Sequence, residues 1–263
     1  MNKFKFLIVS GCVLLTSLSH AKDCEKSPLK NSQQIVLNIA DDSETIHSQT
    51  YLFEKDGKKF KKINPEGWKS VLGRSGLAQG RGLHPEDKKA IYKKEGDGKA
   101  PSGIFELTSS FGHHEKIQNK KFPYQHVDHQ SFCIDDVRHA DYNHLKHSFD
   151  IKAEAKKLKM KKISSENLQE VGPAYEYAVV VNHNNINSKK AEKGAGSCIF
   201  LHVWKRNENN KVKPTAGCTA YAQEHMKTLI NWLDIKKKPL LVQLTKAEYE
   251  KNKTKWCLPQ VSL

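Results

Sequence analysis

The chain of 263 residues shows no second long apolar run beyond its N-terminal segment, no repeat of fixed period and no low-complexity stretch. These absences exclude a protein that crosses a membrane many times, a solenoid and a largely disordered tail. No Pro- or Ser-rich linker divides the chain either. Acidic residues are scarce, with 29 Asp and Glu against 44 Lys and Arg, a formal charge of +15. A balance this basic suits an anionic surface such as a cell-wall polymer or lipopolysaccharide, although scattered lysines also serve solubility alone.

The N-terminus sets the compartment. Lys3 and Lys5 precede the apolar run from Phe6 to Leu18, and Ser19-His20-Ala21 resembles a small-residue cleavage site. This is the layout of a cleaved secretory signal peptide, and the run is short for a membrane span. Cys12 in Val9-Ser10-Gly11-Cys12 raises a lipoprotein alternative, but too little apolar sequence precedes it. We therefore expect residues 1–21 to be a signal peptide and residues 22–263 a single domain. The mature chain is expected to be exported or periplasmic and monomeric, with no membrane insertion and no nucleic-acid partner. Losing Lys3 and Lys5 takes the charge from +15 to +13.

Five cysteines remain in that mature chain: Cys24, Cys133, Cys198, Cys218 and Cys257. Disulfides are permitted outside the cytoplasm, and an odd number leaves at least one thiol free within a monomer. Four bridging cysteines allow three connectivities. Pairing Cys24 with Cys257 would staple the ends, and Cys133–Cys198 would be the second bridge.

Strand signals are spread along the length. Gln34 to Ala40, Thr50 to Glu54, Lys59 to Ile63 after an Asp56-Gly57 turn, Trp68 to Leu72 and Ile104 to Leu107 are rich in β-branched and aromatic residues. Tyr175 to Asn182, Cys198 to Trp204 and Pro239 to Leu244 read the same way. Ile151 to Met160 and Ala222 to Leu233 read as helices, and residues 108–150 as mostly irregular. Many strands and few short helices predict one mainly β domain.

The chemistry concentrates between Ser197 and Tyr221. His202 lies within an apolar strand, and Cys218 follows Gly217 in Pro214-Thr215-Ala216-Gly217-Cys218. Gly217 allows a tight backbone approach beside the thiol. If a helix begins near Ala222, its N-terminal end would lower the thiol pKa and help hold an oxyanion. A histidine within reach would complete a Cys–His nucleophilic pair. Taken singly, each residue is more often just packed in a core.

Together these residues resemble the L,D-transpeptidase catalytic domain, the YkuD family. Its signature of His, a spacer, Ser or Thr, one residue and Gly-Cys is matched by His202, Thr215, Gly217 and Cys218. Gly73-Arg74-Ser75-Gly76-Leu77 and Gly80-Arg81-Gly82-Leu83-His84 resemble the family's glycine-rich strand. Lys94 to Phe105 resembles its EGDGKTPAGIF segment. Asp135-Asp136, Tyr142-Asn143 and Gly196 to His202 fit one branch, which carries Thr-Ala-Gly-Cys. The resemblance covers roughly residues 35–245. It departs from the commonest pattern at Ala216 and Ala220, where other members carry His and Arg or Asn.

This resemblance implies a β-sandwich-like catalytic domain with a few short helices, acting on peptidoglycan stem peptides without metal or organic cofactor. Cys218 would attack the diaminopimelate–D-alanine bond, with His202 as base and the Val203 carbonyl orienting it. N–H groups at Gly217 and Cys218 would form the oxyanion hole. Gly103, Asn143, Thr215 and Arg81 would meet or support the substrate, with His84 beside Arg81 as a further contact. The thioester would pass to an amine, giving a 3–3 cross-link, or to water, as in an L,D-carboxypeptidase. Two readings of other classes are a wall-binding module without activity and a zinc hydrolase built on His126-x-x-His129 and His139-x4-His144. No His-Glu-x-x-His motif supports the latter.

Overall fold

In the computed structural model, residue 24, residues 26–57 and residues 59–262 are described. The signal-peptide and Cys12 readings fall outside these residues. Among the described residues, no helix is long and apolar enough to cross a membrane.

The strands are β1 (Gln34–Ala40), β2 (His47–Asp56), β3 (Lys59–Lys62), β4 (Trp68–Val71), β5 (Leu77–Gln79), β6 (Ala100–Gly112) and β7 (Tyr124–His126). They continue with β8 (Phe132–Ile134), β9 (His144–Lys146), β10 (Ser165–Asn167), β11 (Ala178–Val181), β12 (Phe200–Val203), β13 (Thr219–Tyr221) and β14 (Leu240–Thr245). Helices α1 (Ile151–Lys157), α2 (Gln223–Trp232) and α3 (Lys246–Asn252) are short. The mainly β expectation holds. The large sheet runs β1-β14-β6-β11-β12-β13-β4-β2, and β2 pairs back onto β1, so it closes on itself. Closure removes the exposed edges that an open sheet would present.

Alternation along the strands sorts side chains to two faces. Val36, Leu52, Phe105, Leu107, Val179, Leu201, Val203, Tyr221 and Leu241 meet on the inner face. Helix α2 adds Met226, Leu229 and Ile230, with Leu233 beyond its end, at the i, i+3, i+4, i+7 spacing of an amphipathic stripe. Each such side chain, fully buried, contributes roughly 1.5–3 kcal/mol. Farther along the same face the filling turns polar. Asn38 Nδ2 donates to Gln243 Oε1 at 2.7 Å, and Thr50 and Ser70 donate to Asn38 Oδ1 at 2.8 and 3.0 Å. Thr219 donates to Gln243 Oε1 at 2.8 Å, so this buried network is satisfied throughout.

On the outer face, Phe111, Ala178, Val180 and Phe200 pack with Tyr175, Leu168, Val127 and the Cys133–Cys198 bridge. A second sheet, β10-β8-β9, lies over this cluster. Two of its strands, β8 and β9, fall within the segment expected to be irregular, and β10 lies beyond it. Its strands have three residues each, too few to show alternation, and the pairing of main-chain groups builds them. The other bridge joins Cys24 to Cys257, so both expected disulfides are present.

Candidate active site

Cys218 stands at the entrance to β13, on the strand beside β12. The parallel register sets Leu201 beside Thr219 and His202 beside Ala220, which sends Cys218, Ala220, Phe200 and His202 to the same outer face. This revises the helix-end expectation. Helix α2 starts at Gln223, and a strand intervenes, so the helix dipole does not reach the thiol. The sulfur instead accepts the Phe200 N–H at 3.4 Å and faces the Cys198 carbonyl at 3.5 Å.

Thr215 and Gly217 build the turn before the nucleophile. Thr215 Oγ1 donates to the Cys218 carbonyl at 2.6 Å and accepts the Gly217 N–H at 3.1 Å. Of the two N–H groups expected to meet an oxyanion, Gly217's is thus already taken. At Gly217, with φ of +157°, a Cβ would come within 3.2 Å of both Lys93 Nζ and the Lys99 carbonyl. Lys93 is buried, and its ammonium is held by Asp97 Oδ1 at 2.9 Å. The Lys94-Glu95-Gly96-Asp97-Gly98-Lys99 segment thereby packs directly beneath the Cys218 turn.

His202 is buried, and its Nδ1 lies 2.8 Å from the Val203 carbonyl. A carbonyl can only accept, so the neutral ring carries its proton on Nδ1 and keeps a lone pair at Nε2. Burial, with the Lys205 charge adding to it, lowers the His202 pKa to about 4 despite the favourable Val203 bond. Burial pushes the Cys218 thiol up to about 12, and the Glu166 charge pushes the same way. The Phe200 N–H, Lys93 and Tyr175 oppose the rise. The resting pair is therefore a neutral thiol and a neutral imidazole. The hydrogen bonds of Cys218 Sγ go to Phe200 and Cys198, and that of the His202 ring goes to Val203.

Two residues beside this pair escape sequence reasoning. Tyr175 places its ring edge-on to His202, with centroids 5.4 Å apart, and its hydroxyl bonds to Glu166 Oε2 at 2.7 Å. The sequence reads Tyr175 as the start of a strand, but it ends a 3-10 turn, Gly172–Tyr175, before β11 begins at Ala178. The Gly172-Pro173 pair was the available signal for that turn. Glu166 sits on β10 opposite Cys133 and brings a carboxylate from the second sheet.

The remaining expected residues divide. Asn143 is buried, donates to the carbonyls of His183 and Asn184 at 3.1 Å each, and accepts the Cys198 N–H at 3.0 Å. Asn143 and Cys198 both adopt left-handed backbone, with φ of 63° and 55°, an arrangement that costs about 1–2 kcal/mol per non-glycine residue. Gly103 lies under His84, whose Nδ1 accepts the Ile104 N–H at 3.0 Å. Arg81 is clamped by Glu192 at 2.7 and 2.9 Å and lines a cavity of about 350 Å³ with His84, Tyr92, Asn182 and Asn184. His183 links the Arg81 main chain to the loop before β12. Its Nδ1 accepts the Arg81 N–H, and its Nε2 bonds to the Ala195 carbonyl next to Gly196 and Lys93. Ser197 and Tyr142 both donate to Glu95 Oε2, at 2.7 and 2.5 Å, and tie the loop before β12 to the segment beneath the nucleophile. Among the described residues, no group of three or more His, Cys, Asp or Glu could hold a metal ion.

The model of a family described as the YkuD L,D-transpeptidase catalytic domain matches residues 34–242. A search of curated proteins finds no match. Among solved structures, the chain is similar to the helical cell shape determining protein Pgp2 from Campylobacter jejuni, with 15% identity and a TM-score of 0.36. That match covers 81% of this chain and 47% of the other, so this chain spans about half the length of that protein.

Proposed function

The chain belongs to the YkuD family of L,D-transpeptidase catalytic domains, and from that premise we propose that it is an exported cysteine acyltransferase acting on peptidoglycan stem peptides. The reading is supported above all by one juxtaposition. Cys218, the free thiol among the described residues, shares a face of adjoining strands with a histidine whose proton is fixed on Nδ1.

In the proposed reaction, His202 Nε2 takes the thiol proton as sulfur attacks the carbonyl between diaminopimelate and D-alanine. The Cys218 N–H steadies the oxyanion, since the Gly217 N–H is held by Thr215. Collapse breaks the C–N bond, and His202 returns the proton to the leaving D-alanine amine. An acceptor amine then attacks the thioester as His202 takes its proton, and collapse breaks the C–S bond while His202 returns that proton to the Cys218 sulfur. Arg81 is assigned to the substrate side. Asn143, Thr215 and Gly103 are assigned to shaping the loops that present Cys218. Two disulfides fit the oxidising compartment that export implies.

The deciding experiment is mass spectrometry after incubating the mature protein with disaccharide-tetrapeptide, wild type beside Cys218→Ala. A 3–3 dimer with loss of D-alanine, made by wild type alone, is the expected result. Tripeptide without dimer would assign the carboxypeptidase reaction instead. Unchanged turnover in folded Cys218→Ala would overturn the mechanism.

A further inference from the structure

The face of the second sheet turned away from Cys218 carries a feature that the acyl-transfer chemistry does not use. The pleat of β8 sends Cys133 toward its bridge and the large sheet, and Phe132 and Ile134 to the opposite face. There they pack with Ile163 and with Ala155 of α1, and Phe149, Ile151 and Met160 cover them while staying half-buried themselves. The result is an open groove of about 1360 Å³ with an apolar floor.

The chain around this groove is strongly basic. From Lys152 to Lys162 there are six lysines and one acid, Glu154. Lys157 is paired with Glu154 at 3.2 Å. Lys152, Lys156, Lys161 and Lys162 line the groove, are exposed, and enter no ion pair among the described residues. Asp150 and Glu170 also line it, but Asp150 is occupied in capping α1, accepting the Lys152 and Ala153 N–H groups at 3.1 and 2.9 Å. Leu158, between Lys157 and Lys159 at the end of α1, is 43% exposed. Unpaired like charges set beside exposed apolar groups do nothing for the fold, and together they match an anionic amphiphile.

We propose that this face docks on a membrane surface rich in anionic phospholipid. The four unpaired lysines meet lipid phosphates, while Leu158, Met160 and the groove floor take apolar contact from the acyl boundary. The protein lies on the bilayer and does not span it. An anionic polysaccharide would satisfy the lysines but leave Phe149, Met160 and Leu158 against water. A second copy of this chain, at +15, would bring like charge to the groove. The inference goes beyond the acyl-transfer reading and stands whether or not Cys218 is the nucleophile.

The test is co-sedimentation of the mature protein with vesicles of equal parts phosphatidylglycerol and phosphatidylcholine, beside vesicles of phosphatidylcholine alone. Binding to the anionic vesicles only is the expected result. Lys156→Gln/Lys161→Gln should weaken it about 25-fold, at about fivefold per lysine. Lys227→Gln/Lys251→Gln removes the same net charge from α2 and α3, which do not line the groove, and should change binding less than about twofold. Leu158→Gln/Met160→Gln keeps every charge and should weaken binding about tenfold. All these side chains lie outside the buried core, so the variants should fold. Absence of binding to anionic vesicles overturns the proposal. Equal losses in the two lysine pairs also overturn it, since net charge alone would then be acting. Binding untouched by Leu158→Gln/Met160→Gln overturns it as well, and would leave a purely ionic patch suited to a polymer. No stem peptide is involved, so failure here and failure of the acyl-transfer reading remain separate results.

Discussion

The carbonyl oxygen of Cys198 faces the Cys218 sulfur at 3.5 Å, while the Cys198 side chain is bonded to Cys133 in the second sheet. One residue thus joins the covering sheet to the wall of the candidate active site. Its N–H is held by Asn143, so the left-handed backbone at Cys198 is fixed from both the main chain and the side chain.

Replacing both cysteines of that bridge should separate stability from activity. The bridge spans 65 residues, for which chain entropy predicts a loss of about 4 kcal/mol. Urea unfolding of Cys133→Ala/Cys198→Ala should show it. Under conditions where the variant remains folded, kcat should still fall at least about tenfold. Cys24→Ala/Cys257→Ala should lose stability and keep kcat within about twofold, because that bridge lies away from the site. Equal kcat in the two double variants would refute a site role for Cys133–Cys198.

The neutral resting pair predicts a broad pH profile. His202 accepts a proton from the thiol only when unprotonated, so kcat/KM should rise with pH through about 4 and then stay level across neutral pH. Lys205 helps to hold the His202 pKa down. Lys205→Met removes a cation, favours the imidazolium and should move the rising limb to higher pH. A limb that stays in place or moves to lower pH would show that the Lys205 charge does not act on His202.

Gly103→Ala should be among the most damaging single-methyl substitutions in the chain. A Cβ there would fall 2.0 Å from His84 Cε1 and 2.4 Å from Nδ1, at a φ of +139°. His84 would have to leave and release the Ile104 N–H it now satisfies. We expect a loss above about 2 kcal/mol in urea unfolding. Gly96→Ala, also at positive φ but with nothing within 4 Å, should lose only about 1 kcal/mol. Equal losses at the two glycines would mean that His84 moves freely.

Long apolar segments were legible in the sequence because their burial is written in their composition. Gln34–Ala40 is a strand over the very residues expected, and Ala222 to Leu233 needed only one residue trimmed from each end. The misreadings share a physical cause. Thr219-Ala220-Tyr221 is too short to show a period, so the sequence places the nucleophile near a helix end, whereas its neighbour across the sheet is β12. Tyr175 and Glu166 could not be paired by inspection, because only the fold brings the Gly172–Tyr175 turn against a strand of the second sheet. Thr215, Asn143 and Gly103 are motif positions, and motif membership does not distinguish a group that meets substrate from one that braces a loop. Their hydrogen bonds and clearances support the loop-bracing role proposed for them.

The Cys24–Cys257 bridge closes residues 24 to 257 into a covalent ring. A ring cut once is still one molecule. A protease that nicks a single exposed loop, such as the one around Gly194, would leave both new ends attached to the same folded body. The cut would change neither the mass beyond one added water nor the migration expected of separate fragments until the disulfides were reduced. For a protein proposed to work outside the cytoplasm, damage of this kind would be survivable and nearly invisible.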